Sequence, residues 1–277
     1  MNVSFLLKQA TEGISAALGL DQSEAAIEAR ALLCALLKCD RAWLIAHSGD
    51  MLENAVVEEY GRLVERRLLG EPVAYITGIR EFYGMPFRVT QDVLIPRPET
   101  ELIVDLALER MPDRASVLDL GTGSGAIAAS IARLRKDIRV TALDKSRSAL
   151  EIARENGREA ANIEYVLSDW FDALAGRRYA LIVSNPTYIA VNDEHLQHLS
   201  FEPALALASG SNGLDAIREI AASAPSHLES GGWLLIEHGY DQGEQCRALL
   251  SERFSEVQTW RDLSGIERVS GGRLTSD

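Results

Sequence analysis

The sequence predicts an α/β protein in which a small helical domain precedes a doubly wound, mostly parallel sheet. Residues 1–72 place apolar side chains at helical spacing. From about Glu99 onward, short β-prone runs alternate with helical stretches, a pattern that builds a parallel sheet with helices on both faces. A glycine-rich loop follows the first strand of that sheet, where such folds bind ligands.

Composition limits the classes of protein that this chain can be. Its 277 residues fit about two domains, and 47% hydrophobic and 25% charged residues are typical of soluble globular proteins. The longest apolar run, Ala31–Leu37, is far shorter than the roughly 18 residues of a membrane helix, and Lys8 interrupts the only candidate signal segment. We therefore expect a cytoplasmic protein without membrane contact.

The net charge and the cysteine content also fit a cytoplasmic protein. The net charge of −13 repels phosphate backbones, so direct nucleic-acid binding is not expected. Cys34, Cys39 and Cys246 are an odd number with no nearby second pair, which indicates reduced thiols and neither a disulfide framework nor a zinc site. His195 and His198 are interpreted as part of a solvated loop, and no metal is expected.

The helical domain is predicted to span residues 1–72 and to contain three helices: about Phe5–Leu18, Ser23–Leu37 with Ser23 as N-cap, and Leu52–Leu69. It carries no glycine loop, catalytic constellation or basic run, so we expect it to dock a partner. Residues 73–95 are predicted to be a β-hairpin linker. Its β-prone runs are Val73–Ile76, Glu81–Tyr83 and Phe87–Val89.

Residues 96–277 are predicted to form the sheet domain. The expected strands are Ser116–Leu120, Arg139–Asp144, Ile163–Ser168, Tyr179–Ser184 and Trp233–Glu237. The expected helices between them include Ala126–Leu134, Ser146–Ala160 and Gly213–Leu228. Two further strands, Glu256–Asp262 and Arg268–Arg273, are predicted to be joined by a tight turn and to run antiparallel.

The glycine loop lies where the first of these strands gives way to a helix, in the segment Asp119-Leu120-Gly121-Thr122-Gly123-Ser124-Gly125. Glycines there permit a sharp turn and let a ligand approach the backbone at a helix N-terminus. The loop also fits the dinucleotide pattern G-x-G-x-x-A, so an NAD(P) enzyme is one alternative. However, the carboxylate of Asp119 would repel a pyrophosphate, whereas it tolerates a cationic ligand.

The ends of the next two strands add to the expected cofactor site. Asp144 can accept hydrogen bonds from ribose hydroxyls, and Asp169 with Trp170 offers a carboxylate and an aromatic face beside an adenine. Together with the glycine loop, these residues resemble the class I S-adenosylmethionine-dependent methyltransferases. The resemblance implies a cofactor site formed by Asp119, Gly121, Thr122, Gly123, Ser124, Gly125, Asp144, Asp169, Trp170 and Asn185.

The fourth strand ends in Asn185-Pro186-Thr187-Tyr188, which is close to the N-P-P-Y motif of methyltransferases that act on planar amide or amino nitrogens. An amide nitrogen is a poor nucleophile, so acceptors that grip its N–H groups must orient it toward the methyl group. The Asn185 side-chain oxygen and the Pro186 carbonyl are the expected acceptors, with Tyr188 against the planar group. Thr187 stands where the motif has a second proline.

Further blocks extend the resemblance over essentially the whole chain. These blocks are Leu94–Glu101, Phe201–Pro203, Ile236–Gly239, Glu267–Val269 and Gly272–Arg273. With the helical domain, they identify the chain as similar to the HemK/PrmC family, the N5-glutamine methyltransferases of peptide chain release factors. Glu237 is interpreted as structural, and the roles of Arg97 and Glu99 do not follow from the sequence.

The family resemblance implies a seven-stranded class I methyltransferase fold and S-adenosylmethionine as methyl donor, with S-adenosylhomocysteine as product. The implied substrate is the glutamine in the Gly-Gly-Gln motif of bacterial class 1 release factors, so the protein would act in translation termination. The implied catalytic residues are Asn185, Pro186 and Tyr188, and Thr187 joins them in contacting the substrate. An adenine-N6 methyltransferase and a non-catalytic cofactor-binding relative remain as alternatives.

Overall fold

The computed structural model describes residues 1–189, 201–203, 209–210 and 212–275. The chain forms two compact units, Met1–Ile79 and Arg80–Asp277. The first unit therefore ends later than the predicted boundary at residue 72. None of the helices in the described ranges is long and apolar enough to cross a membrane.

The first unit is helical. Its helices are α1 (Val3–Leu18), α2 (Gln22–Leu37), α3 (Arg41–Ala46), α4 (Asn54–Leu68) and α5 (Val73–Thr77). Their buried faces form one core that includes Val3, Ile14 and Leu32. The hydroxyl of Tyr60 on α4 donates to the Ala29 carbonyl of α2 at 2.9 Å, so the buried phenol is satisfied.

Two details of this unit correct the sequence-based predictions. Ser23 is not the N-cap of α2, because Asp21 accepts from the Ser23 and Glu24 amides and forms a capping box with Glu24. The run Val73–Ile76 is helical and not a strand. Pro72, with its φ of −59°, starts α5, and Gly78 ends it in the left-handed region at φ 76°.

The chain then forms a β-hairpin of β1 (Ile79–Phe82) and β2 (Met85–Arg88). Tyr83 and Gly84 connect the strands, and both have positive φ angles of 53° and 71°. Positive φ at both central residues is the geometry of a two-residue hairpin turn. The rings of Phe82 and Phe87 are buried and meet edge to face with centroids 5.9 Å apart, which anchors the hairpin in a core.

Seven strands form the sheet of the second unit: β3 (Ser116–Leu120), β4 (Arg139–Asp144), β5 (Ile163–Leu167), β6 (Tyr179–Ser184), β7 (Leu228–Glu237), β8 (Phe254–Arg261) and β9 (Glu267–Leu274). Their order is β5-β4-β3-β6-β7-β9-β8. All neighbours pair in parallel except β9, which is antiparallel to β7 and β8. The doubly wound, seven-stranded sheet predicted from the sequence is confirmed.

The helices of this unit are α6 (Glu101–Arg110), α7 (Ala126–Leu134), α8 (Arg147–Asn156), α9 (Asp215–Ser223) and α10 (Gly243–Leu250). The predicted helix Gly213–Leu228 is too long, because the segment containing Pro225 is a 3-10 turn and Leu228 already begins β7. The predicted helix Ser146–Ala160 ends at Asn156, and Ser146 is its N-cap. The sequence analysis did not predict α6 and α10.

The register of the sheet determines where the functional loops begin. Leu120 at the end of β3 pairs with Leu143 on one side and with Ser184 on the other, and Ser184 pairs with Ile236. The hydroxyl of Ser184 donates to the Leu120 carbonyl at 2.8 Å. The residues one position further therefore lie side by side along one edge of the sheet: Gly121, Asp144, Asn185 and Glu237. Ligands of doubly wound sheets bind at this carboxyl edge.

Candidate active site

A cavity of about 300 Å³ opens at the carboxyl edge of β3, β4 and β6. Ten of the residues predicted from the sequence line it: Gly121, Thr122, Gly123, Ser124, Asp144, Asp169, Trp170, Asn185, Pro186 and Thr187. Three do not: Asp119, Gly125 and Tyr188. The cavity thus joins the glycine loop and the Asn-Pro-Thr-Tyr segment, which are separated by about 60 positions in the sequence.

Three backbone N–H groups of the glycine loop already donate hydrogen bonds within the protein. The Thr122 amide donates to the Leu143 carbonyl at 2.8 Å, and the Gly125 amide donates to the Thr122 carbonyl at 2.8 Å. The Gly123 amide donates to Oδ2 of Asp144 at 2.9 Å. A loop that binds a pyrophosphate keeps such N–H groups free for the anion. This arrangement disfavours the NAD(P) alternative.

Asp119 does not line the cavity, but its side chain supports the glycine loop through hydrogen bonds. Its side chain is fully buried, and Oδ2 accepts from the Thr122 hydroxyl at 2.6 Å and from the Ala128 amide at 3.2 Å. Oδ1 has no partner among the residues that the structure describes. Burial raises the pKa of the Asp119 carboxyl to about 7. Oδ2 thus holds the loop in shape, and the cofactor contact expected of Asp119 stays a prediction.

Gly125 has a packing role. Its φ is +79°, and a Cβ added there would lie 3.0 Å from both Cα and Cβ of Ala153 on α8. Only glycine combines this left-handed backbone with so close an approach between α7 and α8. Gly121 also has a positive φ, but an added Cβ would meet nothing within 4 Å. The two glycines therefore serve different ends: Gly121 leaves space in the cavity, whereas Gly125 lets two helices meet.

Asp144 and the Asp169–Trp170 pair form the side of the cavity next to the glycine loop. Oδ1 of Asp144 accepts from the Ser146 amide at 2.8 Å, and Oδ2 accepts from Gly123. Each oxygen keeps lone pairs for a further donor such as a ribose hydroxyl. Burial raises the pKa of Asp144. Asp169 is exposed, and Trp170 has a strained φ of +39°, the kind of strain that recurs at ligand sites.

The opposite side of the cavity contains Asn185. Its Nδ2 donates to the Thr100 hydroxyl oxygen at 3.1 Å. Its Oδ1 is buried and has no partner within the described ranges. Buried polar atoms are nearly always paired, so an acceptor left open beside a cavity indicates a ligand donor. Pro186 is buried next to it, and Thr187 is partly exposed.

Tyr188 lies behind this wall. The side chain packs against the core on one face of the sheet, and its backbone carbonyl accepts from Gln242 Nε2 at 3.0 Å. Burial, followed by the nearby Glu237 carboxyl, raises the pKa of the Tyr188 phenol. The contact that the sequence analysis expected between Tyr188 and a planar substrate group stays a prediction.

The sequence did not reveal one group that the structure brings to Asn185, the hydroxyl of Thr100. Thr100 is buried, lines the cavity and accepts from Asn185, although 85 positions separate the two in the chain. Nothing in the local sequence around Thr100 signals this contact. Glu237, interpreted as structural, is the last residue of β7 and lies on the strand beside Asn185; that interpretation stays a prediction.

An ion pair fastens the segment after the Asn-Pro-Thr-Tyr motif to the region before α6. Arg97 and the buried Glu202 form a salt bridge, and the second oxygen of Glu202 accepts from the Ile95 amide at 3.3 Å. Arg97 and Pro203 both line the cavity. The pair therefore fixes part of the cavity rim, a role that the sequence did not reveal.

The described ranges contain no group of three or more His, Cys, Asp or Glu side chains that could hold a metal ion. His195 and His198 lie outside the described residues.

Comparison with known proteins identifies the family. Residues 6–78 match the family described as PrmC N-terminal domain, and residues 100–202 match the methyltransferase small domain. A protein named release factor glutamine methyltransferase from Neisseria gonorrhoeae is 47% identical over 89% of this chain and 93% of its own length. The relative of that name from Vibrio cholerae is 41% identical over 100% of this chain and 98% of its own length.

The chain belongs to the release factor glutamine methyltransferase family. The resemblance predicted from the motifs is confirmed, and the protein is a methyltransferase. Two solved structures share its fold. A methyltransferase from Pyrococcus furiosus has a TM-score of 0.54 and 16% identity over 79% of this chain and 99% of that one. The 16S rRNA N2 G1207 methyltransferase of T. thermophilus has a TM-score of 0.51 and 19% identity over 71% and 49%.

Proposed function

We propose that this protein transfers a methyl group from S-adenosylmethionine to the side-chain amide nitrogen (N5) of the glutamine in the Gly-Gly-Gln motif of bacterial class 1 release factors. The observation that carries the proposal is the buried, unpartnered Oδ1 of Asn185 beside the cavity. A glutamine amide offers two N–H donors, and an unpartnered acceptor on a residue that lines the cavity supports a role for Asn185 in receiving one of them. We also propose that the protein works in the cytoplasm, where release factors act on ribosomes.

The cavity suits S-adenosylmethionine in chemistry. The carboxylate of Asp144 keeps acceptor capacity for two ribose hydroxyls. Trp170 offers a ring face and Asp169 an exposed carboxylate for an adenine and its amino group. The open space at Gly121 admits a ligand against the backbone. When bound, S-adenosylmethionine supplies an electrophilic methyl group on a sulfonium centre and leaves as S-adenosylhomocysteine.

The residues of this chain have the task of orienting the amide nitrogen. The nitrogen lone pair is delocalised into the carbonyl, so the nitrogen attacks poorly unless it is held in line and its developing positive charge is stabilised. Oδ1 of Asn185 accepts from one N–H and the Pro186 carbonyl from the other. Once the N–C bond has formed, the positively charged nitrogen loses its surplus proton to solvent water, so no base is needed before the transition state. Removing one oriented polar partner in such a site typically costs about 10²–10³ in rate.

The choice of substrate requires surface beyond the glutamine side chain, because one small amide cannot distinguish proteins. We propose that the helical unit, Met1–Ile79, docks the release factor. Large apolar side chains are exposed on it, including Ile45 at 65% and Leu69 at 80%, and exposed apolar groups are common at sites of protein association. The net charge of −13 disfavours the adenine-N6 alternative, which needs a basic groove.

A labelled methyl-transfer assay tests the proposal. Intact release factor should accept one methyl group per chain, and release factor with the motif glutamine changed to alanine should accept none. A short peptide that carries only the Gly-Gly-Gln motif should be a poor substrate, because it lacks the remote docking surface. Transfer to DNA or tRNA at the rate seen with release factor, or transfer to none of these substrates, would overturn the proposal.

A further inference from the structure

Glu237 is a buried carboxyl that the proposed chemistry does not use. It ends β7 at 0% exposure, one position beyond the paired residues Ser184 and Ile236, so it neighbours Asn185 across adjacent strands about 4.8 Å apart. Neither carboxyl oxygen has a hydrogen bond of normal geometry to any residue that the structure describes. A carboxyl buried in this way is costly and calls for an explanation.

The groups around Glu237 belong to the acceptor side of the cavity. Burial raises the pKa of its carboxyl to about 7, and the hydroxyls of Thr100 and Tyr188 hold that pKa partly down. Of the charged neighbours, Glu99 raises the pKa and Arg268 lowers it. Thr100 and Tyr188 both serve the Asn-Pro-Thr-Tyr segment: Thr100 accepts from Asn185, and Tyr188 ends the segment.

The carboxamide of Asn185 has two ends of nearly equal shape, and only one suits the proposed reaction. When Oδ1 faces the cavity, the side chain can accept a hydrogen bond from a substrate amide. When Nδ2 faces the cavity, its N–H donors would meet the N–H donors of the substrate. Thr100 decides between them, because its hydroxyl has one proton. If that proton is given elsewhere, the Thr100 oxygen accepts from Nδ2, as the 3.1 Å contact shows. If the Thr100 hydroxyl instead donates to Asn185, Oδ1 has to face Thr100, and Nδ2 then faces the cavity.

An ionised carboxylate is an acceptor only. Beside Asn185 in the sheet, and with Thr100 among the groups that lower its pKa, Glu237 can accept a hydrogen bond from the Thr100 hydroxyl, whose oxygen then accepts from Asn185. We propose that Glu237 is a positioning residue that acts through Thr100 to hold the Asn185 carboxamide with its oxygen toward the substrate nitrogen. This inference rests on the role proposed for Asn185.

Steady-state kinetics on Glu237→Gln, Thr100→Val and their double variant test this role. Residues that orient a ligand-contacting group typically contribute about 10- to 100-fold in activity in metal sites, and we expect a fall in kcat of that size here. KM for release factor and the affinity for S-adenosylmethionine should stay within about twofold, because neither group is assigned to binding. Thr100→Ser, which keeps the hydroxyl, should recover most of the rate lost in Thr100→Val.

The double variant distinguishes a chain of contacts from two separate effects. If Glu237 acts through Thr100, the double variant should be no slower than Thr100→Val alone. Multiplied losses would overturn the proposal. Thr141→Val is the matched control, because Thr141 is a buried threonine on β4 outside the cavity lining, and its kcat should equal that of the wild type. Melting temperatures of all variants reveal any loss that comes from unfolding.

The pH dependence of kcat gives a readout that a merely structural Glu237 would not change. Since the accept-only form is the ionised one, kcat at saturating cofactor should rise through about pH 7 in the wild type. That limb should be absent in Glu237→Gln. A limb that persists in Glu237→Gln and vanishes in Asp119→Asn would overturn the proposal.

Asn185→Ala separates this inference from the proposed function. If that variant keeps wild-type transfer to release factor, the proposed role of Asn185 fails and this inference fails with it. If Asn185→Ala loses transfer while Glu237→Gln and Thr100→Val keep wild-type kcat, the positioning role alone is refuted.

Discussion

The glycine loop and the Asn-Pro-Thr-Tyr segment follow neighbouring strands, but they differ in how far their polar groups are satisfied. In the loop, the amides of Thr122, Gly123 and Gly125 all donate within the protein. At the segment, Oδ1 of Asn185 and both oxygens of Glu237 lack partners among the described residues. The backbone of the loop therefore has its final shape without a ligand, although Oδ1 of Asp119 also lacks a partner in the described ranges, whereas at the segment the open acceptor belongs to a side chain that lines the cavity.

The largest expected effect comes from Asn185, on the side of the cavity with the unpartnered acceptor. Asn185→Ala removes the unpartnered acceptor, and we expect kcat to fall by about 10²–10³. The affinity for S-adenosylmethionine should change only a few-fold, because the completed glycine loop is untouched. Single-turnover methyl transfer to release factor and calorimetric titration with the cofactor measure the two quantities. A variant that kept more than about a tenth of the wild-type rate would remove Asn185 from the catalytic residues.

On the loop side, Asp144→Ala should affect binding and not the chemical step. Loss of one hydrogen bond to a charged group costs about 1.5–3 kcal/mol, so the cofactor affinity should fall by about tenfold or more. Calorimetry measures this, and kcat at saturating cofactor should stay near the wild-type value. Asp169→Ala is the matched comparison: Asp169 is exposed, so its effect should be smaller. Equal cofactor affinity in Asp144→Ala and wild type would exclude Asp144 from the site.

The same contrast explains what could be predicted from the sequence. The loop could be identified because its shape depends on adjacent residues: glycines at positive φ, and an aspartate at the end of each flanking strand. Asp119 was correctly placed near a strand end, but the sequence did not show that its side chain accepts from the Thr122 hydroxyl and the Ala128 amide.

At the acceptor side, the Asn-Pro-Thr-Tyr letters predicted the residue that carries the open acceptor but not its partners. Thr100 in the turn before α6 accepts from Asn185, and the register of β6 and β7 places Glu237 on the strand beside Asn185. Contacts between positions so far apart in the chain depend on the order and register of the strands, and neither can be read from a single sequence. The run Val73–Ile76 was misassigned for a related reason, because β propensity yields to helix ends set by Pro72 and Gly78.

A third test concerns stability and not activity. The pKa of Asp119 is about 7 in the folded protein against an ordinary value of 3.8. Between these values the folded state holds more protons than the unfolded state, so the free energy of unfolding should fall as pH rises from about 4 to about 7. Asp119→Asn cannot ionise and should reduce this slope. Asp144 and Glu237, whose pKa values are also raised by burial, carry the remainder with the same sign.

Urea unfolding of wild type and Asp119→Asn at several pH values between 5 and 8 gives the slopes. Asp113→Asn serves as control, because Asp113 is 95% exposed and should leave the wild-type slope unchanged. An identical slope in Asp119→Asn and wild type would mean that the pKa of the Asp119 carboxyl is not raised in the folded protein. The prediction would then be wrong.

The smallest expected effect concerns the residue that departs from the family motif. Thr187→Pro restores the second proline, which restricts Pro186 to extended geometry and lowers the entropy of the unfolded chain. The Thr187 amide makes no hydrogen bond within the described part of the chain, so proline removes none there. We expect a gain of about 0.4–1 kcal/mol in the free energy of unfolding, with kcat retained or raised. Thr187→Ala separates loss of the hydroxyl from gain of the ring. A large fall in kcat for Thr187→Pro, but not for Thr187→Ala, would mean that the backbone at 187 adopts a conformation closed to proline. The acceptor side would then achieve its geometry differently from relatives that carry both prolines.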